Sequence, residues 1–361
     1  MITLPSTARH WWPAVFFAWL FSAGFTLFAA GIPETLLGPP SDKGPCVVRA
    51  QFQLQDINSI DDEPETFEFT GVLMLTWKDP RQAFDPKVAG VAEKIYQGDY
   101  QFNEVSPAWY PQVVLANESG LYESDAVILR LQPDGTSTLI STINAVAETD
   151  FDMRRYPFDS QRLQAVFELI GFNTSEVVLD AGPGSADRPI HVSQWDLSGI
   201  ETAVRQRSSL SAGPSGDSSE FVVTFNVQRD PIFTLRLVGL PLALIVILSW
   251  SVFWMERSSL GDRISVSFVG ILTAVAYQIV VGDLLPHVSY ITVMHAFLNF
   301  SFFVMCGTVV INLVVGACDK NGKTDLGDAI DRRCRWIFPM TYFGMLLFIA
   351  VFAIVVFQHQ P

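Results

Sequence analysis

The sequence predicts a two-part chain: an all-β sandwich of immunoglobulin-like type, then a bundle of four membrane-spanning helices. Three observations carry this. The chain is 49% hydrophobic with a mean hydropathy of +0.30, yet its long apolar runs lie only before Gly31 and after Pro231. Between them, short segments alternate apolar and polar residues, with turn signals at roughly ten-residue intervals. Charge divides in the same way. Residues 1–231 hold 30 Asp and Glu against 15 Lys and Arg, and the remainder holds 7 against 8. Such an acidic domain lacks the basic surface that nucleic acid requires, and it favours cations locally.

Residues 1–31 open with Arg9 and His10, run apolar from Trp11 to Ala30 and end on small residues. This pattern reads as a cleaved secretory signal peptide, with a retained anchor as the alternative. Residues 32–230 form the sandwich. Its expected strands are Val47–Leu54, Thr66–Trp77, Ala126–Leu131, Ser137–Ala147, Gln161–Ile170 and Phe221–Gln228. The SIDDEPE segment, Ser59–Glu65, turns between the first two, and Pro133-Asp134-Gly135 marks a hairpin. Arg205–Glu220 is rich in Ser, Gly and Pro, contains no aromatic residue and reads as a long mobile loop.

Residues 231–361 hold four expected spans, at about 235–255, 263–284, 290–317 and 336–357. The link between the first two carries Arg257 and Arg263. The link between the last two carries Lys320, Lys323, Arg332, Arg333 and Arg335, whereas Asp283–Ser289 has neither Lys nor Arg. Basic links stay inside, so the β domain, the Asp283–Ser289 link and the C terminus lie outside. In a bacterium that is the periplasmic face of the inner membrane.

The second span is the most informative. Steps of four and three along it give Ser265, Val269, Leu272, Ala276, Ile279 and Asp283 on one face. The row is polar at its start, apolar in the middle and acidic at its end, and Asp262 lies one turn before it. Lipid is a poor solvent for such a stripe, whereas a water-filled pore suits it. Carboxylate rings concentrate cations at the mouths, and rings of Leu272 and Ile279 close the middle by dewetting.

Reactive constellations are missing. There is no GxSxG, HExxH or P-loop, and His191 is the one histidine left to the sandwich after signal removal. The cysteines, Cys46, Cys306, Cys318 and Cys334, form no CxxC. No enzyme, cofactor or metal site is expected. The competing reading is a membrane-anchored periplasmic binding protein without channel activity. It accounts for the β domain and leaves the charged, striped second span unexplained.

These features together resemble the pentameric ligand-gated ion channels, the Cys-loop receptor family. Asp152-x3-Tyr156-Pro157-Phe158-Asp159-x-Gln161 is similar to the family's signature loop, and Trp109-x-Pro111 to its first binding loop. Thr149 and Leu163 stand where animal members carry the loop disulfide, a departure typical of bacterial members. Asp56–Asp85, Ser249–Trp254 (SWSVFW), Thr273–Tyr277 (TAVAY) and Leu285-Pro286 followed by Tyr290 also resemble bacterial members.

The resemblance implies a homopentamer among membrane lipids, with the second span lining its axis. A small-molecule agonist or protons would gate it, and monovalent cations would pass. Asp262, in Gly261-Asp262-Arg263, matches the inner mouth of cation-selective members; anion-selective ones carry Pro-Ala before the Arg. Leu272 and Ile279 match the usual constrictions, and Val269 replaces a usual Ser or Thr. Asp62, Asp159 and Arg229 match a coupling cluster between the domains, completed by Phe158, Pro286, His287 and Tyr290. Trp109, Glu168 and Phe172 match the agonist site, although the loop from 205 to 220 offers no aromatic cage for an amine. Glu65, His287 and His295 are the proton-sensing candidates, and Ala274 stands where one proton-gated member has a pore-helix histidine.

Overall fold

A computed structural model describes residues 38–40, 44–98, 109–212, 216–255 and 260–357, so the expected signal peptide at 1–31 lies outside the described residues. Its strands are β1 (Cys46–Asp61), β2 (Thr66–Lys78), β3 (Lys94–Gly98), β4 (Val113–Leu115), β5 (Glu118–Leu131), β6 (Thr136–Glu148), β7 (Ser160–Leu169), β8 (Val177–Ala186), β9 (His191–Val192), β10 (Trp195–Ser208) and β11 (Asp217–Arg229). One sheet runs β3-β5-β6-β2-β1-β8 and the other β4-β7-β11-β10-β9. Only the β1–β8 pairing is parallel among the described pairs.

Alternation puts one face of each strand into a shared core. β2 reads half-buried and buried in strict turn from Thr66 to Trp77, as a period of two demands. Phe52 of β1 sits 5.7 Å from Phe167 of β7 and 6.0 Å from Phe225 of β11 between ring centroids, so aromatic rings join the two sheets. Each buried Phe contributes about 1.5–3 kcal/mol by area, and a good ring pair about 0.5–1.5 more. Gly71 permits this packing, because a Cβ there would fall 2.3 Å from the Phe52 ring.

The strands overrun their expected ends. β1 continues to Asp61, since Ile57 and Ile60 pair with Phe69 and Phe67, and the turn shrinks to four residues, 62–65. The expected loop Arg205–Glu220 is largely hairpin: Arg205 pairs with Glu220 and Ser208 with Asp217. Backbone pairing and an Arg205–Glu220 ion pair extend the ladder where composition alone suggests none. Strands β8 and β10 escape the periodicity test for a related reason. β8 carries Gly182 and Gly184, and β10 exposes most of its side chains, so neither shows a clean apolar alternation.

Four helices follow: α1 (Ile232–Trp254), α2 (Leu260–Gly282), α3 (Val293–Lys320) and α4 (Thr324–Phe357). The first three are long and apolar enough to cross a membrane. α4 starts three turns before its expected apolar run at Trp336, so the basic link contracts to 321–323. Its first turn carries Asp325, which suits the positive end of a helix dipole. α1 has a π-helical stretch at Leu235–Gly239, just before Pro241. Proline has no N–H to give to the carbonyl four residues back, which is Leu237. The Tyr277 hydroxyl of α2 donates to that oxygen instead, at 2.6 Å, and so ties the two helices together.

Candidate functional site

α2 has a narrow buried side and a broad exposed one. Arg263, Ser267, Ala274 and Val281 are buried against the chain's own helices. Asp262, Ser265, Val269, Leu272, Ala276, Ile279 and Asp283 are exposed on the opposite side; Leu272 is 69% and Ile279 73% exposed. The exposed side also takes in Val266, Phe268, Thr273, Val275 and Val280, so it contains the stripe, with Asp283 just past the helix end, without singling it out. Ser265 donates to the Gly261 carbonyl at 2.9 Å, which satisfies the hydroxyl within the helix.

At the domain junction, β11 ends on Arg229, which is 5% exposed. Its Nε donates to Asp159 Oδ1 at 2.8 Å, and its Nη2 donates to Asp62 Oδ1 at 2.8 Å and Asp159 Oδ2 at 3.4 Å. The guanidinium lies 4.1 Å over the Trp195 ring and 4.9 Å over the Tyr156 ring. Burial alone would disfavour its charge, but bonds and charges from Asp62 and Asp159 raise its pKa further above the ordinary arginine range. Gln161 steadies the other side by donating to Asp159 Oδ2 at 2.7 Å.

The same loop reaches the helices. Tyr290 accepts from the Met153 N–H at 2.9 Å, and the Val293 and Met294 N–H groups donate to the Arg154 and Tyr156 carbonyls. Phe158 borders an apolar cavity of about 320 Å³ among α1, α3 and α4. Pro286 is buried beside the cluster, and the exposed His287 has Nδ1 3.8 Å from Glu63 Oε1. Thus Asp62, Asp159, Arg229, Phe158, Pro286, His287 and Tyr290 all gather at the junction.

The proton-sensing candidates do not form one group. Glu65 closes the β1–β2 turn with φ of 55°. His295 lies on the first turn of α3, where its ring Nδ1 is 2.9 Å from the hydroxyl of Thr292, the cap of its own helix. His287 shares a cavity of mixed lining with His295 and Asp283, while Glu65 does not line it.

In the upper sandwich, Trp109 is buried with its edge against Trp77 and Phe172, at 6.0 and 5.8 Å. Glu168 of β7 pairs across strands with Glu220 of β11. It accepts from Ser211. Burial opposes its ionisation, yet the hydroxyls of Ser209, Ser211 and Ser218 and the charge of Arg207 hold its carboxyl below the ordinary value. Glu220 is wholly buried, pairs with Arg205 and has Arg207 at 3.9 Å. The sequence places the 205–220 loop beside the agonist site without assigning Arg205, Arg207 or Glu220 a role of its own, and it does not mark Trp195. Arg205 and Glu220 could have been found as opposite charges bracketing a Ser-Gly stretch, whereas nothing local marks Trp195. Among the described residues, no group of three His, Cys, Asp or Glu is placed to hold a metal ion.

A β-sandwich whose lower loops grip a set of membrane-length apolar helices defines a helical membrane protein with a β-sandwich domain. The pattern of the neurotransmitter-gated ion-channel ligand binding domain matches residues 34–231, and that of the neurotransmitter-gated ion-channel transmembrane region matches 239–327. The chain belongs to this family, the pentameric ligand-gated ion channels, whose members are channels rather than enzymes. It is 27% identical to a proton-gated ion channel of Gloeobacter violaceus, over 84% of this chain and 82% of the relative. It is 26% identical to the human gamma-aminobutyric acid receptor subunit rho-2, over 83% of this chain and 63% of that one, so the chain spans under two thirds of that relative. It is also 26% identical to pH-sensitive chloride channel 2 of Anopheles gambiae, over 69% of this chain and 42% of the relative.

Proposed function

We propose that five copies of this chain form a cation-selective channel, opened by an agonist or by protons acting on the β domain. The observation that carries it is the free face of α2, with Asp262 and Asp283 at its ends and Leu272 and Ile279 between. Bringing five such faces to one axis makes two acidic rings around an apolar constriction. The inner ring dominates selectivity, because a narrow, partly dehydrated mouth screens charge less than a wide one. The Arg229 cluster carries motion between the domains, Trp109, Glu168 and Phe172 border the agonist site, and Glu65, His287 and His295 are candidate proton sensors. Relatives named for chloride and gamma-aminobutyric acid favour an anion pathway instead.

The deciding experiment is a reversal potential in a salt gradient, with purified protein in a bilayer. A cation channel reverses near the cation potential, and Asp262→Ala reduces that preference more than Asp283→Ala. Reversal at the chloride potential would sink cation selectivity. A stable monomer or dimer in native mass spectrometry would sink the pentamer.

A further inference from the structure

The base of α2 holds a second charge cluster, away from the stripe. Arg263 directly follows Asp262 and is wholly buried. Its Nη1 and Nη2 each donate to Asp331 of α4, at 2.9 Å, in a parallel pair. Its Nε–H has no partner among the described residues. Ser267, one turn on, donates to the Arg263 carbonyl at 3.0 Å and accepts from Asn312 of α3 at 2.9 Å. The first turn of α2 is thus tied to both α3 and α4.

Successive helix residues point about 100° apart. With Arg263 held toward α4, Asp262 is turned to the free face and makes no ion pair there among the described residues. We infer that Asp331 is a specificity-determining residue: it keeps the Arg263 charge out of the inner mouth, where that charge would cancel the Asp262 ring. This rests on the pore reading of α2 above. Without the Asp331 carboxylate, the guanidinium is left buried, unpaired and with an unsatisfied Nε–H. Such a group does not stay buried when a long, flexible side chain can carry it to water. The nearest carboxylate on its own helix is Asp262. The other arginines beside Asp331, Arg332 and Arg333, are exposed and take no part in the pair.

The test is the reversal potential of Asp331→Asn, which keeps the shape and removes the charge. It shifts toward the chloride potential. The double variant Arg263→Gln, Asp331→Asn, with no charge to release, returns to the wild-type value. A loosened helix base alone would leave the double variant as impaired as the single one, and that result would overturn the inference. So would an unshifted single variant. If the single variant yields no channel, the double variant decides: wild-type selectivity supports the inference, and a higher cation preference shows that Arg263 already acts on the pore and overturns it. If the wild type itself reverses at the chloride potential, the cation reading has failed separately. The inference then depends on whether Asp331→Asn raises the chloride preference further.

Discussion

Arg229 and Arg263 are both buried guanidiniums held by aspartate, at opposite ends of the helical half, and they are held differently. Arg229 meets two carboxylates from two loops and lies between the faces of Trp195 and Tyr156. Arg263 meets one carboxylate through two parallel bonds, and its Nε–H has no partner among the described residues. The first is over-determined, because loops from a β domain can bring polar groups of several segments to one point. The second is a single clasp, because a helix bundle offers only what adjacent helix faces present. An over-determined charge passes on a displacement without letting go, whereas a single clasp is either closed or open. In the proposed channel these properties suit coupling at one end and selectivity at the other.

The sharpest way to break this comparison is Arg229→Ala. It leaves Asp159 buried without its cation, at a cost of about 3–5 kcal/mol. Thermal unfolding in detergent and agonist- or pH-evoked current should both collapse; an unchanged unfolding temperature would show that the junction is not anchored there. Double-mutant cycles come next. Arg229 should couple to Asp159, which is buried and takes two bonds, by about 2–3 kcal/mol, and to the part-exposed Asp62 by about 1 kcal/mol or less. Equal coupling would erase the ranking within the cluster.

Trp195→Leu keeps apolar bulk and removes the ring face under the guanidinium, which should cost about 1–2 kcal/mol of unfolding free energy. No loss would reduce Trp195 to ordinary packing. The smallest effect concerns Glu168, an anion held chiefly by hydroxyls rather than by a buried cation. Its folded-state pKa lies below its ordinary value. The stability it contributes is therefore present above that ordinary value and is lost as pH falls through the lower, folded-state one. Glu168→Gln should lower the unfolding temperature at neutral pH, with the gap closing toward acid. A gap that widens on acidification would reverse the sign.

Much of this was legible in the chain itself. Thr66–Trp77 alternates so strictly that its strand and buried face follow from period alone, and the α2 stripe is visible as spacing. The Arg229 cluster was legible only through family resemblance, since Asp62 and Arg229 are 167 residues apart. The hairpin at 205–220 was hidden because its ladder rests on backbone bonds and one ion pair, while its composition is that of a loop.

The sequence by itself determined the two-part architecture and which α2 residues share a face. These are consequences of local hydrophobic period and of charge asymmetry, which any short window reports. Only the tertiary structure decided that Arg263 turns away from that face and that Asp331 receives it. The two lie 68 residues apart on separate helices. No local pattern links them, and their pairing exists only because packing α2 against α4 removes both from water.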